Sequence, residues 1–141
     1  NNPTGTLFDR DAVRAVIRAA EACGGLVVID EAYFAFSSES FLDEIGDYPN
    51  AVLMRTVSKL GLAGLRLGML IGRRGWLAEF DKLRLPYNIN ALTQAAAGYA
   101  MLHYHTFLAQ ASQLKLERDR LSAALAAMPG SASNHSLETY T

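Results

Sequence analysis

The chain has little of what would narrow its class quickly. It holds one cysteine, Cys23, so no disulfide forms within it, and a reducing compartment is the simpler expectation. It has no excess of either charge: thirteen Lys and Arg stand against fourteen Asp and Glu, a net charge of -1. That balance lacks the electrostatic footprint of a nucleic-acid or anionic-membrane binder. No apolar run approaches the ~18 residues of a membrane span, and no basic and apolar leader opens the sequence. A cytoplasmic protein without nucleic-acid or membrane partners is expected. A G-x-x-x-x-G-K-[ST] phosphate loop is also missing.

What the chain does have is an ordinary globular composition. Half of its 141 residues are apolar and 19% are charged, which suits one modest core and argues against disorder. NNPTG at 1–5 is turn chemistry, with Pro3 fixing its own φ and Gly5 free to take positive φ. Asp9 is placed to cap a helix over 10–23, where Val13, Ile17 and Ala20 recur at helical spacing, and glycines 24 and 25 stop it. LVVI at 26–29 is the continuous apolar run expected of a strand covered on both faces. AVLM at 51–54 leads into RTVSK, and LGMLIG at 67–72 reads as a third strand. A helix from about Gly75 to Leu83, the interruption LPYNIN, and a helical region over about 91–127, broken near His105 and Thr106, complete the pattern. Strands alternating with helices predict an α/β fold.

Two strand ends carry candidate chemistry. Asp30 and Glu31 follow the first strand at its C-terminal end, where open α/β sheets bind ligands. An apolar strand ending in DE also suits the magnesium-holding acids of a P-loop ATPase, but the phosphate loop is absent and GLAGLRLG has the wrong glycine spacing. The plain alternative is that Asp30 only caps the following turn. Lys59 has the same setting one strand later, flanked by Val57, Leu60, Leu62 and Leu65. Most lysines are surface charges, because burial of an unpaired ammonium is costly. An amine held among apolar neighbours is desolvated, its pKa falls, and it becomes a nucleophile for Schiff-base chemistry with a carbonyl.

Pyridoxal 5'-phosphate presents such a carbonyl. It needs a lysine amine, an acid facing its ring nitrogen and groups that hold its phosphate. Lys59 would supply the amine and Asp30 the acid, while Arg66 and the hydroxyls of Thr56 and Ser58 would make charge-assisted hydrogen bonds to the phosphate. Asn2 and Tyr33 can donate to the phenolic oxygen of the cofactor.

NNPTG, DEAY and TVSKLGLAGLRLG, in that order, resemble the large-domain motifs of fold-type I pyridoxal-phosphate aminotransferases, over about residues 1–130. Each is weak alone, and the three in register are specific. RTVSKLGLAGLRLG together with LRLPYNINALTQ is most similar to the histidinol-phosphate aminotransferase family. The resemblance implies part of a mostly parallel sheet flanked by helices, followed by a long interdomain helix. It implies that 1–90 is the central part of the cofactor-binding large domain, 91–128 a helical segment leading toward a small domain, and 129–141 an irregular, truncated tail. Lys59, Asp30 and Tyr33 match catalytic positions of the family, and Asn2, Thr56, Ser58 and Arg66 join them as cofactor contacts. Tyr87, Asn88 and Asn90 in PYNIN match a loop near the substrate region.

The implied reaction is transamination between histidinol phosphate and 2-oxoglutarate, by a homodimer that takes small-molecule amino donors and 2-oxo acids and uses no metal. Related class I and II aminotransferases and threonine-phosphate decarboxylases share the lysine and the aspartate. Members of the family are longer. An upstream phosphate loop, a ring stacked on the cofactor and a downstream carboxylate-binding arginine are expected outside this sequence, which opens on Asn1 rather than Met. The segment by itself is therefore expected to be inactive, and an association module is the other reading of it.

The remaining candidates have plain explanations. His103, His105 and His135 form no shared helix face and read as surface residues. Cys23 reads as a small packed residue, and Tyr99, Met101 and Leu102 as core or dimer contacts. KLERDR at 115–120 reads as a solvated helical face with its own charge partners.

Overall fold

Helix α1 (Arg10–Ala22) starts where the Asp9 carboxylate accepts the Ala12 backbone N–H at 3.0 Å, the expected cap. It ends at Cys23, and Gly24 follows at φ 69°, where a side chain would be strained. The computed structural model describes residues 6–128. Within them, strands β1 (Val27–Asp30), β2 (Ala51–Thr56) and β3 (Gly68–Gly72) form one sheet in that spatial order. β1 and β2 are parallel, with Val27 opposite Ala51 and Asp30 opposite Met54. β2 and β3 are antiparallel, with Thr56 opposite Gly68 and Val52 opposite Gly72.

The α/β class holds, and β3 departs from parallel pairing for a physical reason. Residues 31–50 are long enough to return the chain to the starting end of the sheet, whereas 57–67 contain only two single-turn 3-10 segments, Ser58–Leu60 and Ala63–Leu65. So short a connection reverses the strand.

One sheet face carries Val27, Ile29, Ala51, Leu53 and Ile71, which pack with Val13 and Ile17 of α1 and with Phe41, Ile45 and Tyr48 of the crossover. The alternating side chains Val28, Met54 and Leu70 lie on the other face and are exposed by 49%, 37% and 37%. Covering of β1 on both faces, as its apolar run suggested, is therefore not found among the described residues. α1 and the crossover pack on one side only.

Polar groups fasten this core. Buried Asn50 donates from Nδ2 to the carbonyls of Ile17 at 2.9 Å and Gly25 at 3.1 Å, joining the helix end to the start of β2. The Glu44 carboxylate accepts Arg14 Nε at 3.0 Å, Arg14 Nη2 at 3.1 Å and the Tyr48 hydroxyl at 3.2 Å, and it also pairs with Arg10. Hydrogen bonding from Arg14, with a further contribution from Arg10, outweighs desolvation and holds the Glu44 carboxyl down at about 2.

Helix α2 (Arg74–Asp81) packs beside β3, and Trp76 Nε1 donates to the Pro49 carbonyl at 2.8 Å. Helices α3 (Ala91–Leu102) and α4 (Tyr104–Ala126) meet at His103, whose N–H bonds to the Ala100 carbonyl at 3.1 Å. The break thus falls two residues before the expected His105. α3 touches the turn Ala63–Leu65 and α4 touches the turn Ser58–Leu60. Tyr99, Met101 and Leu102 are exposed by 67%, 46% and 77%, so they do not belong to the core of the described residues. Cys23 is likewise exposed rather than packed, because it closes α1 on the outer side of the glycine turn. On α4, Arg120 pairs with Glu117 at 3.0 Å on an open face, as KLERDR suggested. No helix among the described residues is long and apolar enough to cross a membrane.

Candidate active site at the carboxyl edge of the sheet

Because β1 and β2 run parallel, their C-terminal ends lie at one edge, and most of the side chains expected to do chemistry lie there. Asp30 closes β1 and is exposed. Its Oδ1 accepts the Ala32 N–H at 2.9 Å, the turn-capping role of the plain alternative, and Oδ2 has no partner among the described residues. One oxygen of the carboxylate is therefore engaged and the other is open.

Thr56 closes β2 and shapes the turn after it. Its hydroxyl donates to the Leu67 carbonyl at 3.0 Å and accepts the Ser58 N–H at 3.1 Å, and the Val57 N–H reaches the same carbonyl at 3.2 Å. The turn Ser58–Leu60 then buries Val57 and Leu60 and leaves Lys59 exposed, with Gly61 at φ 87° ending it. Lys59 Nζ lies 4.8 Å from the centroid of the Tyr33 ring, a cation–π contact. The desolvated lysine expected from its apolar flanks is thus not found in the described residues. Those flanks anchor the turn, and the ammonium stands over an aromatic face that is itself partly exposed.

Arg66 caps the next turn with its N–H on the Ala63 carbonyl at 3.3 Å and takes φ 50°. A non-glycine residue in this left-handed region is strained by about 1 kcal/mol. Two residues later Gly68 stands opposite Thr56, so the exposed Arg66 belongs to the same end of β2 as Ser58 and Lys59. Asn2 lies outside the described residues. Tyr87, Asn88 and Asn90 keep to the α2–α3 connection: Tyr87 is 97% exposed, Asn88 accepts Arg84 Nη1 at 3.3 Å, and Asn90 caps α3 by accepting the Thr93 N–H at 2.8 Å. No hydrogen bond among the described residues ties these three to the lysine turn.

Sequence reasoning notes Glu31 only as the neighbour of Asp30, without a role of its own, and passes over Arg55. Their side chains are 10% and 12% exposed, and Arg55 Nη2 lies 2.8 Å from Glu31 Oε2. The signal is present, since a charged residue inside a buried strand requires a partner. Which partner it takes is a tertiary matter.

An amine, a carboxylate, a phenol, a guanidinium and a hydroxyl thus share the edge. A family model for class I and II aminotransferases matches residues 1–137. The chain belongs to this family. Among its aminotransferase relatives, histidinol-phosphate aminotransferase of Chromobacterium violaceum is 54% identical over 129 residues, covering 92% of this chain and 35% of that protein. The crystal structure of histidinol-phosphate aminotransferase from Sinorhizobium meliloti in complex with pyridoxal-5'-phosphate matches with a TM-score of 0.73 at 28% identity, over 89% of this chain and 35% of that one. L-threonine-O-3-phosphate decarboxylase from Porphyromonas gingivalis matches with a TM-score of 0.76 over 92% of this chain and 40% of that one, at 23% identity, a likeness of fold alone. This aminotransferase chain spans about 35% of the length of the curated relatives it matches.

Proposed function

We propose that the complete polypeptide carrying this sequence is a pyridoxal-phosphate-dependent aminotransferase of histidine biosynthesis. It converts histidinol phosphate and 2-oxoglutarate to imidazole-acetol phosphate and glutamate, as a cytoplasmic homodimer. The carrying observation is the 54% identity across 92% of the chain to a protein of that name. The donor set at the sheet edge fits the cofactor. When bound, pyridoxal phosphate supplies an aldehyde for amines and a ring that draws electrons from the substrate α-carbon.

The residues of the chain divide the remaining work. Lys59 Nζ would be the attachment amine and would serve as the base that takes a proton from the substrate α-carbon. Its exposure leaves it free to move between these tasks. Asp30 holds a proton on the ring nitrogen through the oxygen that Ala32 leaves open. Tyr33, whose ring faces the lysine, donates its hydroxyl to the phenolic oxygen together with Asn2. Arg66 and Ser58 bind the phosphate, and Thr56, whose proton is committed to Leu67, acts by presenting Ser58 and Lys59. Tyr87, Asn88 and Asn90 border the substrate. Residues 1–90 belong to the large domain and 91–128 lead toward a small domain.

Incubation with pyridoxal phosphate, borohydride reduction and peptide mapping test the reading. Label concentrated on Lys59, above Lys82 and Lys115, and lost in Lys59→Ala, is expected. Equal labelling of the three in a folded protein refutes the cofactor site. Turnover of histidinol phosphate with 2-oxoglutarate then separates the aminotransferase from a phosphothreonine decarboxylase, whose support is a shared fold only.

A further inference from the structure

We propose that Glu31 and Arg55 are positioning residues of this site, locking the 30–41 segment onto β2 so that the Tyr33 ring is held against Lys59. The inference rests on the cofactor reading above. Its basis is the contrast between two adjacent acids. The Glu31 N–H donates to the Met54 carbonyl at 2.8 Å, which extends the β1–β2 ladder one residue past Asp30. Strand alternation then sends the two side chains to opposite faces. Asp30 stays open, and Glu31 turns inward.

The Glu31 carboxylate is fully engaged. Oε1 accepts the Phe41 N–H at 2.6 Å, while Oε2 accepts Ser40 Oγ at 2.9 Å, Arg55 Nε at 3.1 Å and Arg55 Nη2 at 2.8 Å. Arg55 Nη2 also donates to Ser40 Oγ at 2.7 Å, and the guanidinium carbon lies 4.3 Å from the Phe34 ring centroid. The segment is therefore clamped at both ends: Phe34, next to Tyr33, stacks on Arg55, and Ser40 and Phe41 are bound through Glu31. Arg55 stands on the same chain stretch as Lys59, four residues earlier. The planar fork thus ties the lysine-bearing strand to the tyrosine-bearing segment by a fixed geometry. A buried ion pair adds little stability over apolar residues of the same shape, so its distinctive contribution is orientation.

The test uses the complete polypeptide loaded with pyridoxal phosphate and compares wild type with the double variant Glu31→Gln, Arg55→Met, which strands no charge. Three quantities are read: Lys59 labelling by borohydride, the pH midpoint of the Lys59-dependent absorbance, and kcat and KM. With Tyr33 no longer held, labelling persists, the midpoint rises by about one pH unit because a hydrogen bond to the deprotonated form is lost, and kcat falls about tenfold with KM for the amino donor little changed. Phe34→Leu, which leaves the ion pair intact, shifts the midpoint the same way by less, and it serves as the test if the double variant fails to fold. A folded variant with the wild-type midpoint and kcat overturns the proposal. Absence of Lys59 labelling in wild type instead overturns the cofactor reading, and this inference with it.

Discussion

The Glu44 cluster and the Lys59 edge use the same residue types to opposite ends. Around Glu44, two arginines and a tyrosine all donate to one carboxylate, and the crossover is fixed to α1 by that saturation. At the sheet edge, Asp30 takes one backbone N–H, and the side chains of Lys59 and Arg66 make no hydrogen bond or ion pair among the described residues. A charge whose partners are all within the fold stabilises that fold and has nothing left for a ligand. A charge left open contributes little to stability and keeps its full capacity to bind.

That contrast can be broken by measurement. Lys59→Ala has the largest expected effect, loss of cofactor labelling and turnover to background, with an unchanged urea midpoint; a substantial drop in that midpoint would place Lys59 among the structural charges. Leu53→Ala is the converse case. Leu53 is fully buried at the centre of the sheet, and its truncation is expected to cost about 3 kcal/mol in urea unfolding, reducing cofactor labelling only through lost fold. Asn90→Ala removes the α3 cap at a cost of about 1 kcal/mol. Asn90→Ser, which keeps a capping oxygen, restores the stability, and a lasting rise in KM for the amino donor in that variant would reveal a substrate contact besides the cap.

Glu44→Gln has the smallest effect and a defined pH window. The folded Glu44 carboxyl lies at about 2, below its ordinary 4.5, so its contribution is present above 4.5 and is lost as pH falls toward 2. Because water reaches the cluster, about 1 kcal/mol or less is expected. Stability curves of wild type and Glu44→Gln should converge as pH drops from 4.5 to 2. Parallel curves over that range would show that the arginines do not hold Glu44 ionised.

Short-range features are readable in the sequence. The Asp9 cap, the helical spacing of Val13 and Ile17, and the apolar runs of β1 and β2 depend on neighbours a few residues away, and all recur in the fold. So does the placing of Asp30, Thr56, Ser58, Lys59 and Arg66 at one edge, because each ends or follows a strand of the same sheet. The exposure of Lys59 and Cys23 is not readable in the same way, since apolar neighbours in sequence do not say which of them turns inward.

By itself, then, the sequence determined the local elements, the family and the order of amine, acid and guanidinium along the chain. Only the tertiary structure decided the antiparallel return of β3, the engagement of Glu31 by Arg55, and the placing of the Lys59 ammonium over Tyr33. The division has one physical cause. Caps and periodicity act within a turn or two of chain, whereas strand direction, burial and ion pairing depend on partners brought together from far along the chain, as Arg10 and Glu44 are across 34 residues.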